Sequence, residues 1–222
     1  MRSRGSFIVF EGGEGAGKST QVKLLAAALR SDGLDVVTTR EPGGSPVGER
    51  IRDLLLDPAT GSLHPRAEAL LFAAARADHV ATLIEPGLAR GAVVICDRFV
   101  DSSLAYQGVA RHLGLDEVAR LSSFATNGLT PDLTIVLDVD PVAGLERARR
   151  SAAADRIESE ELNFHRQVRQ AFIDLSAADP DRYLVVPASS GIGETAEAIA
   201  GRVSELVGHA GGPRIGAAEV GS

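Results

Sequence analysis

The sequence predicts an α/β fold, a single five-stranded parallel sheet with helices on both faces. Three observations carry that reading. Short β-rich runs alternate along the chain with longer runs of helical periodicity, the pattern of repeated crossovers between parallel strands. Two of the short runs, residues 92–96 and 133–139, are largely apolar from end to end, as central strands covered on both faces must be. The first run leads directly into a glycine cluster that opens a helix.

The elements follow in order. Phe7-Ile8-Val9-Phe10 is four large apolar residues bounded by Glu11 and glycines, a buried strand. From Lys18 to Arg30, Val22, Leu25, Ala26 and Leu29 recur at helical spacing, and Gly33 supplies a stop. Residues 35–39 form a second strand. Residues 47–56 are a helix with Val47, Ile51, Leu54 and Leu55 on one face, closing at Pro58. Residues 68–89 read as helical, with Pro86 marking a break or restart because it has no amide hydrogen. The strand at 92–96 is followed by helices at 101–110 and 115–125, and the strand at 133–139 by helices at 141–150 and 159–177. A last strand spans 183–186 and a last helix 194–207. Residues 210–222 have no apolar periodicity and are expected to be a disordered tail, which places one domain at residues 1–209 with no internal repeat.

Composition bounds the function. A domain of 222 residues buries enough surface to need no disulfide or metal staple. The single Cys96 cannot pair within the chain, which favours a reducing, cytoplasmic compartment. The apolar run at residues 7–10 is too short for a secretory signal, and no stretch approaches the ~20 apolar residues of a membrane span. A net charge of −7 argues against a nucleic-acid coat protein while allowing a local basic pocket. The expected partners are therefore small ligands, with no nucleic acid and no membrane.

Gly12-Gly13-Glu14-Gly15-Ala16-Gly17-Lys18-Ser19 matches the phosphate-binding pattern G-x-x-x-x-G-K-[ST], and it lies between a strand and a helix, where such a loop belongs. Successive backbone N–H groups must turn inward around a phosphate, in conformations that glycine adopts at little cost. The helix that begins here points its N-terminus at the same anion. Lys18 supplies a charge to the β and γ phosphates and Ser19 a hydroxyl for Mg²⁺. Residues 12–20, from Gly12 through Thr20, are thus the expected NTP-binding segment, the ATP site if the resemblance given below holds.

The remaining loops must identify an acceptor. After the third strand, Asp97 is suited to hold Mg²⁺ or its water shell, with Asp138 at the end of the fourth strand as a rival that spacing alone does not separate from it. Arg98 adds a planar cation suited to grip a phosphate bidentately, unless it serves a structural ion pair. Ser103, Tyr106 and Gln107 share a helix face, as do Phe72 and Arg76, which could stack and bond a base or simply pack. Thr39-Arg40-Glu41-Pro42-Gly43-Gly44 combines charge with a tight turn. Four arginines, Arg147, Arg149, Arg150 and Arg156, lie within ten residues and read as a solvated helix face unless they sit on a flap. A lid at about residues 147–158 would bring cations to a phosphoryl group in transit and exclude water. His64, His79, His112, His165 and His209 receive no catalytic role, and Cys96 reads as inert packing.

Taken in order, these blocks resemble thymidylate kinase of the bacterial type: residues 7–12 through Thr20-Gln21, then 39–44, Asp97-Arg98-Phe99, Asp101-Ser102-Ser103, Tyr106-Gln107-Gly108, Pro131-Asp132-Leu133-Thr134 and Asp155-Arg156-Ile157-Glu158. The resemblance covers residues 6–207 and implies the P-loop nucleoside monophosphate kinase fold. It also implies transfer of the ATP γ-phosphoryl group to dTMP with Mg²⁺, in a homodimer. By position it implies Lys18, Arg98, Arg149, Arg150 and Arg156 as catalytic cations, and Ser19 and Asp97 at the metal. It implies Glu14, Arg40, Pro42, Phe72, Arg76, Arg98, Ser103, Tyr106 and Gln107 at dTMP. Phe72 would stack on thymine, Arg76 bond it, Arg98 hold the acceptor phosphate, and Tyr106 crowd the sugar 2′ position. Ala16 stands where the eukaryotic type has a basic residue, so the lid arginines would supply the charge. Phe99, Ser45 and Ala75 depart from the more usual Tyr or His, Thr and Asp. The competing expectations are a uridylate- or adenylate-type kinase, and a GTP-dependent switch. The switch would need an N-K-x-D motif that neither residues 127–130 nor 185–188 supply.

Overall fold

The protein is described by a computed structural model over residues 4–151 and 155–208. The expected tail at 210–222, His209 and the middle of the proposed lid therefore lie outside the described residues. Five strands, β1 (Phe7–Glu11), β2 (Val36–Arg40), β3 (Val93–Asp97), β4 (Leu133–Asp138) and β5 (Tyr183–Pro187), form one parallel sheet in the order β2-β3-β1-β4-β5. The three inner strands are the continuous apolar runs, buried almost throughout, while the edge strands β2 and β5 alternate between buried and exposed residues.

The alternation of side chains along β1 shows how the two faces are covered. Ile8 and Phe10 point to one layer, where they pack with Val22, Leu25 and Leu29 of α1 (Lys18–Ser31) and Ile199 and Val203 of α9 (Ile192–Val207). Phe7 and Val9 point to the other. There they meet Val80, Ile84 and Leu88 from the helical run comprising α3 (Pro65–His79), a wide turn at Val80–Ile84 and α4 (Glu85–Ala89). Pro86 falls in the first turn of α4, so the helical path continues through residues 65–89 and Pro86 restarts it rather than ending it.

α2 (Pro46–Leu56) begins one residue before its expected start because Ser45 caps it, accepting from the Gly48 amide at 3.0 Å, with Pro46 in the first turn. The helix expected at 101–110 is one turn of α5 (Val100–Ser103) followed by widened turns at Leu104–Ala110. α6 (Leu115–Thr126) and α7 (Pro141–Ser151) lie where periodicity puts them. α8 (Leu162–Ala178) starts three residues later than expected, because Asp155 accepts from the amides of Ile157 and Glu158 and holds that stretch as a turn.

Candidate active site

The phosphate loop is built by close approach. Gly12 sits at φ 137°, with the Leu137 carbonyl 2.5 Å from where a Cβ would stand, so only glycine lets β1 leave the sheet beside β4. Gly15 lies against the backbone of Gly144 on α7, with 2.0 Å between its would-be Cβ and that carbonyl. Gly17 precedes α1 in a left-handed conformation and offers no capping side chain, so the first amides of α1 stay available to an anion. Lys18 folds back over the loop and donates to the carbonyls of Gly12 (3.0 Å) and Gly13 (2.9 Å). Burial, reinforced by Arg98, holds its ammonium below the ordinary lysine range.

Arg98 connects this loop to the next. It follows β3 at φ 71°, and its turn is tied down by Glu11, which accepts from the amides of Phe99 (2.8 Å) and Ser102 (3.1 Å) and from the Ser102 hydroxyl (2.6 Å). Burial, with Asp101 nearby, raises the Glu11 carboxyl. The Arg98 guanidinium donates to Gly12 O (3.1 Å), Ser102 Oγ (3.1 Å) and Glu14 Oε1 (2.7 Å), and lies over the Tyr106 ring at 5.2 Å. Tyr106 donates its hydroxyl to the same Glu14 oxygen at 2.7 Å. Burial opposes the Glu14 charge, but Arg98, Lys18 and the Tyr106 hydrogen bond outweigh it and bring the carboxyl down to about 2. Burial likewise opposes the charge of Arg98, which Glu14, Asp97 and Glu11 hold well above its ordinary value.

One cavity of about 470 Å³ joins the phosphate loop, from Glu14 through Thr20, to Arg98. Arg40, Pro42, Phe72, Ser103, Tyr106 and Gln107 also line it, so most of the expected acceptor residues share one wall. Gln107 is oriented by Glu68, to which it donates at 3.0 Å. Arg76 is the exception. It is 2% exposed and absent from the cavity lining, because Glu41 needs a buried countercharge: Nε donates to Glu41 Oε2 at 2.7 Å and Nη2 to Phe99 O at 2.9 Å. Its Nη1 is buried without a hydrogen-bond partner.

The lid arginines also divide differently from expectation. Arg149 and Arg150 are exposed and do not line the cavity; Arg150 faces Glu146 one turn back. Arg156 is buried away from it, donating to Leu55 O (2.7 Å) and pairing with Glu68 (2.6 Å), a second carboxylate in need of cations. The arginine of this segment on the cavity is Arg147, which reaches Ala188 O at 3.5 Å. Helical phase explains the split: Arg147 is one turn beyond Gly144, on the side of α7 that meets the phosphate loop, and Arg149 and Arg150 are rotated off it.

Ser19 donates to Asp97 Oδ2 at 3.0 Å, which gathers two oxygen donors at the foot of the loop. Asp138 is engaged by Arg169 at 2.6 and 2.8 Å and does not line the cavity, so the rivalry between the two aspartates favours Asp97. Among the described residues no group of three or more His, Cys, Asp or Glu forms a metal cluster. Polar cavity residues without an expected role are Arg52, which donates to Pro42 O at 2.8 Å, together with Glu41, Ser102, Asp155 and Glu158. Arg52 sits between Ile51 and Asp53, and its nearness to the turn at residues 40–44 depends on how α2 folds back, which linear spacing does not show.

A loop for one anion and a guanidinium for a second, in contact across a single cavity on a parallel sheet, define a P-loop phosphotransferase. The family model described as thymidylate kinase matches residues 10–199. A thymidylate kinase of Cutibacterium acnes is 51% identical over 203 residues, covering 91% of this chain and 98% of that protein. One of Deinococcus radiodurans is 49% identical over the same shares. A crystal structure of thymidylate kinase from Ehrlichia chaffeensis superposes with a TM-score of 0.75 at 31% identity, covering 91% of this chain and 99% of that one. The chain belongs to the thymidylate kinase family.

Proposed function

We infer that the protein transfers the γ-phosphoryl group of ATP to dTMP, giving dTDP and ADP. The observation that carries the reading is the seat of Arg98, whose guanidinium touches Gly12 and Glu14 of the donor loop while lining the acceptor wall. A phosphate held there stands beside one held by the loop amides, so the two reactants meet end to end.

The acceptor phosphate has a second pKa of about 6 and is already largely an ionised nucleophile at neutral pH, so no general base is required. The protein has to align it and neutralise charge. The amides from Gly12 to Thr20 and Lys18 hold the donor phosphates, and Arg147 reaches the same cavity from α7. Arg98, with Arg40 and Arg52 near the turn at Pro42, faces the acceptor phosphate. Phe72, on the cavity wall, offers a face for the base, while Arg76 is held off the cavity by Glu41. Glu14, ionised at neutral pH, and Tyr106 crowd the sugar and favour a deoxyribose.

Ser19 and Asp97 fit Mg²⁺, which takes oxygen ligands and keeps waters and phosphate oxygens for the rest of its shell. Bound there with ATP, it would neutralise β and γ oxygens. A lid around residues 147–158 closing over both nucleotides is part of this reading, with Arg147 as its cavity-facing cation.

Two further assignments belong here. No helix among the described residues is long and apolar enough to cross a membrane, and the single cysteine is buried and unpaired, which supports a cytoplasmic site of action. Leu70 on α3 and Leu115 and Phe124 on the neighbouring α6 are exposed apolar side chains, which supports a homodimer through these helices. A coupled assay with ATP over a panel of monophosphates tests the central reading. The expected result is dTMP as the best acceptor by kcat/KM, and a better turnover of UMP, AMP or dCMP would overturn it.

A further inference from the structure

Glu68 gathers donors from parts of the chain that lie far apart in sequence. It sits in the first turn of α3, 1% exposed, where the helix N-terminus favours its charge. Its Oε1 accepts from Gln107 Nε2 at 3.0 Å and from Arg111 Nε at 3.2 Å, and its Oε2 from Arg111 Nη2 at 3.3 Å. Arg156 Nη2 forms an ion pair with the same Oε2 at 2.6 Å. Arg156 is kept in place by the end of α2, donating Nε to Leu55 O at 2.7 Å and its backbone amide to Leu56 O at 3.1 Å. Arg111 lies over the Phe164 ring at 4.7 Å and also pairs with Glu160 at 2.6 Å, so two guanidiniums balance two carboxylates. Burial opposes the charge of Glu68, but the Gln107 hydrogen bond, Arg111 and Arg156 outweigh it and hold the carboxyl below its ordinary value.

We propose that Arg156 is a positioning residue of the acceptor side: with Arg111 it keeps Glu68 a pure hydrogen-bond acceptor, and Glu68 in turn holds the Gln107 amide with its carbonyl as the end offered to the cavity. This rests on the reading of Gln107 as an acceptor-site residue. A carboxylate only accepts, so it takes the Nε2 end of the amide and leaves the carbonyl. A carboxyl that has gained a proton donates as well, and the amide can then face it either way round. Without Arg156, Glu68 and Glu160 share a single cation, Arg111, and burial favours a neutral Glu68.

The path of the chain agrees with this role. Asp155, Ile157 and Glu158 line the cavity, whereas Arg156 between them turns back to Glu68 and the end of α2. An arginine placed to meet a phosphoryl group in transit would face the cavity with its neighbours. This one instead joins the segment after the expected lid to the wall that carries Gln107.

Steady-state kinetics separates a positioning role from that of a catalytic cation. Arg156→Ala is expected to raise KM for dTMP by about tenfold or more, with kcat and KM for ATP within about threefold of wild type. Glu68→Gln, which keeps the size of the side chain and leaves the Arg156 bonds to α2 in place, should raise KM for dTMP to a similar extent. In a Gln107→Ala background, Arg156→Ala should add less than about threefold, because the group it positions is gone. A fall in kcat of about 100-fold or more with KM for dTMP unchanged would overturn the proposal and return Arg156 to the transferred phosphoryl group. A folded Arg156→Ala enzyme with wild-type constants would also overturn it. So would the full effect persisting in Gln107→Ala, which would mean packing of the segment alone. If Arg156→Ala does not fold, Glu68→Gln decides by the same constants. Failure of the underlying reading looks different, because Gln107→Ala alone would then leave KM for dTMP at its wild-type value.

Discussion

Arg98 and Glu14 carry the electrostatics of the site as a pair. Each neutralises the other at 2.7 Å, and a phosphate brought to Arg98 would compete with Glu14 for the same N–H groups. Arg98→Ala is therefore expected to raise KM for dTMP by about 100-fold or more while KM for ATP changes by less than about threefold, measured by steady-state kinetics. Equal losses for both nucleotides would refute the acceptor role. The depressed Glu14 carboxyl has a stability consequence whose sign is set. A carboxyl lowered from 4.5 to about 2 on folding stabilises the folded state fully above its ordinary value, and that contribution is lost as pH falls toward 2. Glu14→Gln should then be less stable than wild type at pH 7, on the order of 3 kcal/mol, with the gap closing between about pH 4.5 and 2 in denaturant titrations. Spacing did not separate Asp97 from Asp138, whereas Lys18 and Ser19 lie in one continuous motif and Arg98 directly follows a strand, so their places on the cavity were legible in the sequence. Arg76 was not, since its direction depends on Glu41, a residue 35 positions away.

At the scale of elements, α7 and the phosphate loop fit each other through glycine. Gly15 and Gly144 let two backbones approach where any side chain would collide, and this approach carries Arg147 to the cavity. Arg147→Ala is expected to lower kcat by about 10³-fold, whereas Arg149→Ala and Arg150→Ala should each change it by less than about threefold, read in single-turnover assays. A larger kcat loss at Arg149 or Arg150 would show that the lid turns on closure and that helical phase in this conformation does not select the cation. Segment types were legible along the described residues because the apolar period differs between strand and helix. Boundaries were less so. Ser45 and Asp155 moved the starts of α2 and the segment before α8 through side-chain bonds to nearby amides.

Over the whole molecule, the sheet order brings the ends of β1, β2 and β3 to the same cavity, through Glu14, Arg40 and Asp97. Phe124 is 88% exposed on α6, beside α3, whose opposite turns carry Phe72 and Arg76. A dimer through these helices would buttress the acceptor wall. Phe124→Glu is expected to shift the protein from dimer to monomer in sedimentation or light scattering at low micromolar concentration, and an unchanged mass would move the interface elsewhere. By itself the sequence determined the parallel sheet, the two inner apolar strands that flank β1, and the donor loop, since each is written as a local period or a contiguous motif. Only the tertiary structure decided that Arg147 rather than its neighbours faces the cavity, that Asp97 and not Asp138 stands with Ser19, and that Arg76 lies off the cavity against Glu41. The approach of α7 to the phosphate loop carries Arg147 there, while Arg169 takes Asp138 and Glu41 takes Arg76, pairings made by distance in space between residues far apart in sequence.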